Sequence, residues 1–269
     1  MRRWEADLKA VLRATVGEFN DPRYDEPMRA LSAQILHDPE LAADYAQRAS
    51  FLPGEVHRVL RGTGTRGVSG IGLLAGAYVL GAIPFSNVAA RLLRGVDLRS
   101  VGGGTVSGTA LHRVGGFGPL IVAGTLDVAK GAVGPVLAGA NRPLAAAAGA
   151  MAVAGHNWSP FLRGAGGRGI SPALGALLVN QWQGAVLLLL GVTAGRVAGR
   201  TSLGAFVAYV GLVPALARIG GRDAAVAGAA VLIPIFAKRV LGNRPPAGPD
   251  RGRILLNRLI HDQDEAPRR

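Results

Sequence analysis

The sequence contains no cysteine, which excludes disulfide bridges, cysteine-ligated zinc and a thiol nucleophile. Acidic residues are few beside basic ones, 17 against 30, for a net charge of +13. Charged residues of both signs make up only 17% of the 269, well under the roughly one quarter of an ordinary soluble domain. Aromatic residues are also sparse, at 5%. A basic surface without interleaved aromatics is a poor nucleic-acid platform, so no nucleic-acid partner is expected. An anionic lipid bilayer and anionic substrates account better for the positive excess. No group of histidines and carboxylates has metal-ligand spacing, so neither metal nor other cofactor is expected. The opening Met1-Arg-Arg-Trp-Glu-Ala-Asp7 has no apolar core of the signal-peptide kind, so membrane insertion is expected through internal segments.

Apolar residues are plentiful, at 49%, but unevenly spread. Residues 1–66 read as a soluble helical extension. Apolar residues recur at helical spacing in Trp4–Val16 and Tyr24–Leu36, and Asp38-Pro39-Glu40 has the form of an N-cap followed by proline at the first helical position. His37 and His57 stand alone there, and nothing in the extension identifies its partner. Composition shifts at Thr63-Gly-Thr-Arg-Gly67, opening a membrane domain over 67–240, and 241–269 reads as a polar, basic tail.

Within 67–240 the apolar segments run near 68–90, 117–139, 143–155, 170–180, 184–199, 202–217 and 224–237. Several are shorter than the ~20 residues of a straight span, which implies tilted or partly buried helices. Small residues dominate, as in Gly72-x-x-x-Gly76 and the Ala145–Ala154 tract, and suit close helix packing in lipid. The expected fold is all-α, a polytopic membrane helix bundle of about seven short spans. Basic residues collect in alternate connections: Arg91, Arg94, Arg99 and Arg113; Arg163 and Arg168; Arg196 and Arg200; Lys238 and Arg239. The positive-inside rule places these loops in the cytoplasm, for a multi-pass protein of the cell membrane. Seven spans with an inner C-terminus put residues 1–66 outside, whereas Arg61 and Arg66 favour the inside, so the side of the extension stays open.

Three polar stretches interrupt the apolar pattern. Gly155-His-Asn-Trp-Ser-Pro-Phe-Leu-Arg-Gly-Ala-Gly-Gly-Arg-Gly169 is glycine-dense and cationic. Its Gly164, Gly166, Gly167 and Gly169 free the backbone to turn N–H groups around an anion, and Arg163 and Arg168 add charge. A solvated connecting loop would have the same composition. Val101-Gly-Gly-Gly-Thr-Val-Ser-Gly-Thr109 joins Gly102 and Gly104 to the hydroxyls of Thr105, Ser107 and Thr109, with Arg113 following; its amides can bind phosphate oxygens and Arg113 can clamp them. An ordinary tight turn uses the same residues. Finally, Asp127 and Lys130 lie at i and i+3 inside an apolar span, on one helix face, as either an ion pair that holds the bundle or part of a site.

With Ala82-Ile-Pro-Phe85 and Ser202-Leu-Gly204, these stretches occur in an order that resembles the bacterial acyl-phosphate-dependent glycerol-3-phosphate acyltransferases. The resemblance runs from about Tyr78 to Arg239. Gly102, Gly104, Thr109, Arg113, Asp127, Lys130, Gly131, Gly155, His156, Asn157, Gly166, Gly167 and Gly169 match the family motifs. Gly103 stands at the family's loop serine, Thr105 and Ala110 at its two asparagines, and Arg168 at the lysine of Gly-Gly-Lys-Gly; the C-terminal His-x-x-Asn pattern is not recognisable. The resemblance implies transfer of a fatty acyl group from acyl phosphate to glycerol 3-phosphate, giving lysophosphatidic acid on the cytoplasmic face. It implies catalytic roles for His156, Lys130 and Arg113, and substrate contacts from Gly102, Gly104, Thr105, Ser107, Thr109, Asp127, Asn157, Gly166, Gly167, Arg168, Gly169 and Ser202. Acyl phosphate is already activated, so cations that offset repulsion between two phosphorylated molecules suffice, with His156 either accepting a proton or holding its loop. Two alternatives remain open at this level: a catalytically altered or inactive paralogue, and a lipid-binding or transport protein, although no internal duplication supports a transporter.

Overall fold

The computed structural model describes residues 70–102, 104–244, 246 and 250–263, all within one unit, Leu60–Arg269. The expected extension over 1–66, its boundary, and Gly103 lie outside the described residues. Among those described there are helices and no strands.

A proline in the first apolar segment divides it. Pro84 has no N–H to donate, and the helix stops and restarts there, as α1 (Gly70–Ala82) and α2 (Phe85–Arg94). A short 3₁₀ turn (Leu98–Ser100) and α3 (Gly108–Gly115) lead to α4 (Phe117–Ala138) and α5 (Arg142–Asn157). A second 3₁₀ turn (Pro160–Leu162) precedes α6 (Ile170–Asn180), α7 (Trp182–Val197), α8 (Thr201–Leu241) and α9 (Arg251–His261). The helix α8 breaks at Gly221, whose φ of 69° and ψ of −156° no right-handed helix accommodates. It is therefore two rods, 201–220 and 222–241, so the described residues of all seven expected segments fall mainly on helices, the first segment being shared between α1 and α2. Tyr209 of the first rod and Phe236 of the second meet edge to face, with ring centres 5.6 Å apart, and the rods fold back on one another. The helix α9 lies inside what the composition marks as a polar tail.

Among the described residues, three stretches are long and apolar enough to cross a membrane: Gly70–Arg94, Phe117–Ala138 and Thr201–Leu241. Large apolar side chains point outward, Ile71, Val207 and Ile233 among them, while alanine and glycine crowd the interior. Such a distribution suits lipid, where backbone proximity and dispersion hold helices together. Gly131 of α4 shows how close the backbones come: a β-carbon there would lie 2.0 Å from the carbonyl oxygen of Pro172 in α6. Gly175 of α6 returns the contact, since its β-carbon would stand 1.9 Å from the carbonyl oxygen of Val128 in α4.

The connections separate into two ends. At one, the exposed ion pair of Arg142 and Asp223, 3.1 Å apart, links the start of α5 to the region just past Gly221. At the other, the basic connections meet: Val106 N–H donates to Gly166 O (3.1 Å) and Arg239 donates to Ser202 O (2.7 Å). The alternation of charge along the sequence thus becomes a difference between the two ends of the bundle. The α4–α6 contact leaves no room for a methyl group, and Gly131→Ala is expected to cost about 1–3 kcal/mol or more through overpacking. Thermal unfolding of the variant in detergent checks this, with Gly124→Ala, at a position open to space, as the tolerated control.

Candidate active site

At the helix break the carbonyl of Ile83 accepts from Phe85 N–H at 3.2 Å, and an ammonium group shares it. Lys130 Nζ donates to Ile83 O at 2.7 Å, pairs with Asp127 Oδ1 at 2.7 Å and lies 5.5 Å from the centre of the Phe85 ring. Both charged side chains are almost fully buried, at 1% and 5% exposure, and a buried charge is tolerated only when paired and hydrogen-bonded. The i, i+3 spacing read from the sequence makes the pair. Asp127 also accepts from Ser86 Oγ (3.4 Å), and its Oδ1 lies 3.7 Å from His156 Nδ1.

In front of this pair is a small cavity. Its wall includes Ile83, Pro84, Phe85 and Ser86 from the break, Asp127 from α4, His156 from the end of α5, and Val106, Gly166 and Gly167 from the two glycine-rich connections. Glycine at 167 is required by the imidazole, because a β-carbon would lie 2.2 Å from His156 Nε2. Beside the cavity, and sharing Ile83, Pro84 and Leu162 with it, runs an apolar groove of about 400 Å³ that also includes Val88 and Phe161, with Asn87 and Arg91.

The glycine-rich connections are held by a hydrophobic cluster that includes Leu98, Val106, Leu111 and Leu162 and by polar ties. Asn87 Oδ1 accepts from Leu98 N–H at 2.7 Å, and Asp97 gathers Arg91 and Arg99. Hydrogen bonds from Arg99 and Arg91 hold the Asp97 carboxyl well below the usual carboxylate range, against the opposing pull of burial. Arg99 reaches the other connection through Leu162 O, at 3.4 Å. Ser159 Oγ donates to Ala82 O (2.6 Å), and Asn157 Nδ2 donates to Pro234 O (2.8 Å).

Among the residues singled out from the sequence, Asp127, His156, Gly166 and Gly167 line the cavity, whereas Gly104 and Thr105 precede Val106 of its wall without lining it themselves. Lys130 sits behind the wall, touching three of the residues that form it. Ser107 caps α3, accepting from Ala110 N–H at 3.3 Å. Asn157 is tied to α8, Gly169 opens α6 with φ of 77°, and Ser202 contributes its carbonyl to Arg239. Gly102 and Thr109 are exposed, as is Arg113 in the last turn of α3, and none of the three lines the cavity.

Arg168 has a partner that the sequence gave no reason to expect. Its Nε lies 2.7 Å from Asp262 Oδ1, just past α9, and its Nη1 donates to Lys238 O at 3.2 Å. The guanidinium thus pairs with a carboxylate at Nε and donates a hydrogen bond from Nη1. Lys238 itself is buried, with Nζ 3.3 Å from Gly164 O and 5.3 Å from the Trp158 ring centre. Asn243 bonds to both glycine-rich connections. Lys238 was readable from the sequence only as a topology marker. Asn243 and Asp262 carried no signal, because their role depends on how the tail folds back.

The chain is similar to known proteins. The sequence profile described as glycerol-3-phosphate acyltransferase matches residues 71–241. A protein of that name from Synechococcus sp. (strain CC9902) is 37% identical over 164 residues, 60% of this chain and 82% of its own length. Glycerol-3-phosphate acyltransferase 1 of Deinococcus radiodurans is 40% identical over 106 residues, 38% of this chain and 53% of its own length. The crystal structure of PlsY, an integral membrane glycerol 3-phosphate acyltransferase, in its glycerol 3-phosphate form superposes with a TM-score of 0.53 at 28% identity, covering 67% of this chain and 96% of that one. The lysophosphatidic acid form gives 0.52 at 25% identity.

Removing one half of the buried pair exposes its role. Lys130→Met leaves an unpaired carboxylate behind the cavity wall, and the expected loss is about 3–5 kcal/mol. The double change Asp127→Asn with Lys130→Met is expected to recover most of that stability, as read from thermal unfolding in detergent.

Proposed function

The chain belongs to the glycerol-3-phosphate acyltransferase family, and we propose that it moves a fatty acyl group from acyl phosphate to the 1-hydroxyl of glycerol 3-phosphate at the cytoplasmic face of the cell membrane. The observation that carries this reading is the meeting of all three polar motifs around one cavity, at the basic end of an apolar bundle and beside an apolar groove. A phosphorylated head with a fatty tail needs that combination: cations and glycine amides at one end, hydrocarbon contacts along the other. The groove past Val88 and Phe161 is the place for the acyl chain.

The chemistry requires no covalent intermediate on the protein. The hydroxyl oxygen of glycerol 3-phosphate attacks the acyl carbonyl carbon, the bond from that carbon to the phosphate oxygen breaks, and phosphate leaves with the electron pair. His156 accepts the hydroxyl proton at Nε2, and Asp127, beside Nδ1, stabilises the cation that forms. Arg168 and Lys238, with the amides of the Gly164–Gly169 stretch, offset the charge of the two phosphorylated groups. Lys130 acts through Asp127 and the Ile83 carbonyl, holding the wall in place. Arg113 and the hydroxyl of Thr109, exposed at the same end, meet the phosphate of incoming glycerol 3-phosphate.

Purified protein given acyl phosphate and glycerol 3-phosphate is expected to release phosphate and lysophosphatidic acid in equal amounts, while acyl-CoA and acyl carrier protein donors give none. His156→Ala is expected to lower kcat by about 10²–10⁴-fold. A folded protein that binds neither substrate in calorimetry, and turns over neither, would sink the reading.

Orientation is tested separately, because the chain has no native thiol. A cysteine introduced by Ala165→Cys is expected to react with an impermeant maleimide only when the cytoplasmic face is exposed. Labelling of intact cells would reverse the assignment.

A further inference from the structure

We propose that Asn243, which lies beyond the matched family region of 71–241, is a positioning residue that fixes the two glycine-rich connections of the site relative to one another, and that turnover depends on it. The proposal rests on the acyl-transfer reading above for its activity arm only.

The carboxamide of Asn243 is used on both sides. Its Nδ2 donates to Gly104 O at 3.0 Å and to Gly166 O at 2.9 Å, and its Oδ1 accepts from Gly166 N–H at 3.1 Å. One side chain therefore holds a glycine of the first connection and both backbone groups of a glycine in the second. These glycines have no side chains with which to pack, so backbone hydrogen bonds must set their positions. Gly166 lines the cavity, and its carbonyl also takes the Val106 N–H, whose residue lines it too. A shift of Asn243 would be transmitted to both walls.

The placement of Asn243 is itself enforced. Gly242, with φ of 68°, turns the chain out of α8 while its N–H donates to Lys238 O at 2.8 Å. The buried Arg258 of α9 donates to Leu241 O (3.0 Å) and Arg244 O (3.1 Å), on either side of the turn. Arg239 donates to Ile260 O (2.9 Å) and Arg258 O (3.2 Å), which docks α9 against α8. A residue with only a loop-closing role would need no such clamp. The carboxamide is also specific: aspartate keeps the acceptor but loses both donors and sets a negative charge against two carbonyls, and alanine loses all three bonds.

The test uses the full chain in detergent, with Asn243→Asp and Asn243→Ala compared with the parent. With acyl phosphate and glycerol 3-phosphate both saturating, kcat of the folded protein is expected to fall roughly tenfold or more in each variant, in addition to any fall in melting temperature from the two or three lost hydrogen bonds. A purely structural asparagine would lower the melting temperature alone and leave kcat of the folded fraction unchanged. If Asn243→Ala does not fold, Asn243→Asp carries the test. An arm that needs no activity places the same changes in the Ala165→Cys background, where maleimide is expected to react faster once the second connection is released. Should the parent prove inactive, the acyl-transfer reading fails while the labelling rates still decide whether Asn243 holds the connections. Parental kcat in both variants, or parental labelling rates, would overturn the proposal.

Discussion

An ammonium group cannot be left in an apolar helix bundle without partners, and the structure around the site follows from how Lys130 obtains them. Its three contacts are a carboxylate one turn away, a carbonyl at the interruption before Pro84, and the face of Phe85. Each brings a different stretch of chain into register. The α1–α2 break has to lie opposite Asp127, which puts Ser86 on the carboxylate and sets Ile83 and Phe85 into the cavity wall. The ion pair is thus less a store of stability than a device that admits one arrangement of these segments, because other arrangements leave a charge bare.

That arrangement is available only because the helices can approach backbone to backbone. Gly131 against Pro172 and Gly175 against Val128 bring α4 and α6 together where any side chain would keep them apart. Gly155 makes a similar approach to α1, since a β-carbon there would lie 2.1 Å from Tyr78 O. Two of these glycines stand beside the polar motif residues, Gly131 next to Lys130 and Gly155 next to His156. Close packing and the placement of the reactive groups are therefore one constraint, which explains why glycine and charged residues recur together along the chain.

The basic end of the bundle is assembled differently. Its connections share a small hydrophobic cluster around Leu98, Val106 and Leu162, and side-chain amides, carboxylates and guanidiniums tie them further to backbone groups. Asn87, Asp97 and Arg99 order the first connection; Asn157, Ser159 and Lys238 order the second; and the segment after α8 joins them. In this segment Asp262 takes the Nε of Arg168, so that guanidinium is oriented before any ligand arrives. The guanidinium is held on one side by its ion pair with Asp262 and on the other by the hydrogen bond to Lys238 O.

The sequence by itself settled whatever depends on local pattern. Long apolar runs must be helical in lipid, where backbone groups have no water to bond to, and the described residues of the seven segments lie mainly on helices. Charge alternation between connections sorted them into two ends, and i, i+3 spacing made the Asp127–Lys130 pair. The order of the motifs pointed to the acyltransferase family and to His156, Asp127, Gly166 and Gly167, which share one cavity. Tertiary structure alone decided what depends on distant stretches meeting. It set Lys130 behind the cavity wall, because the carbonyl that binds it comes from a break 47 positions away. It left Arg113 and Thr109 on the exposed face of α3, whose Ala110 and Leu111 are buried, and used Ser107 as a cap. It brought Asn243 and Asp262 onto the motif connections because Arg239 and Arg258 clamp a tail helix whose composition reads only as polar and basic. Hydrogen bonds from side chains to distant carbonyls have no periodicity along the chain, so no pattern in the sequence records them.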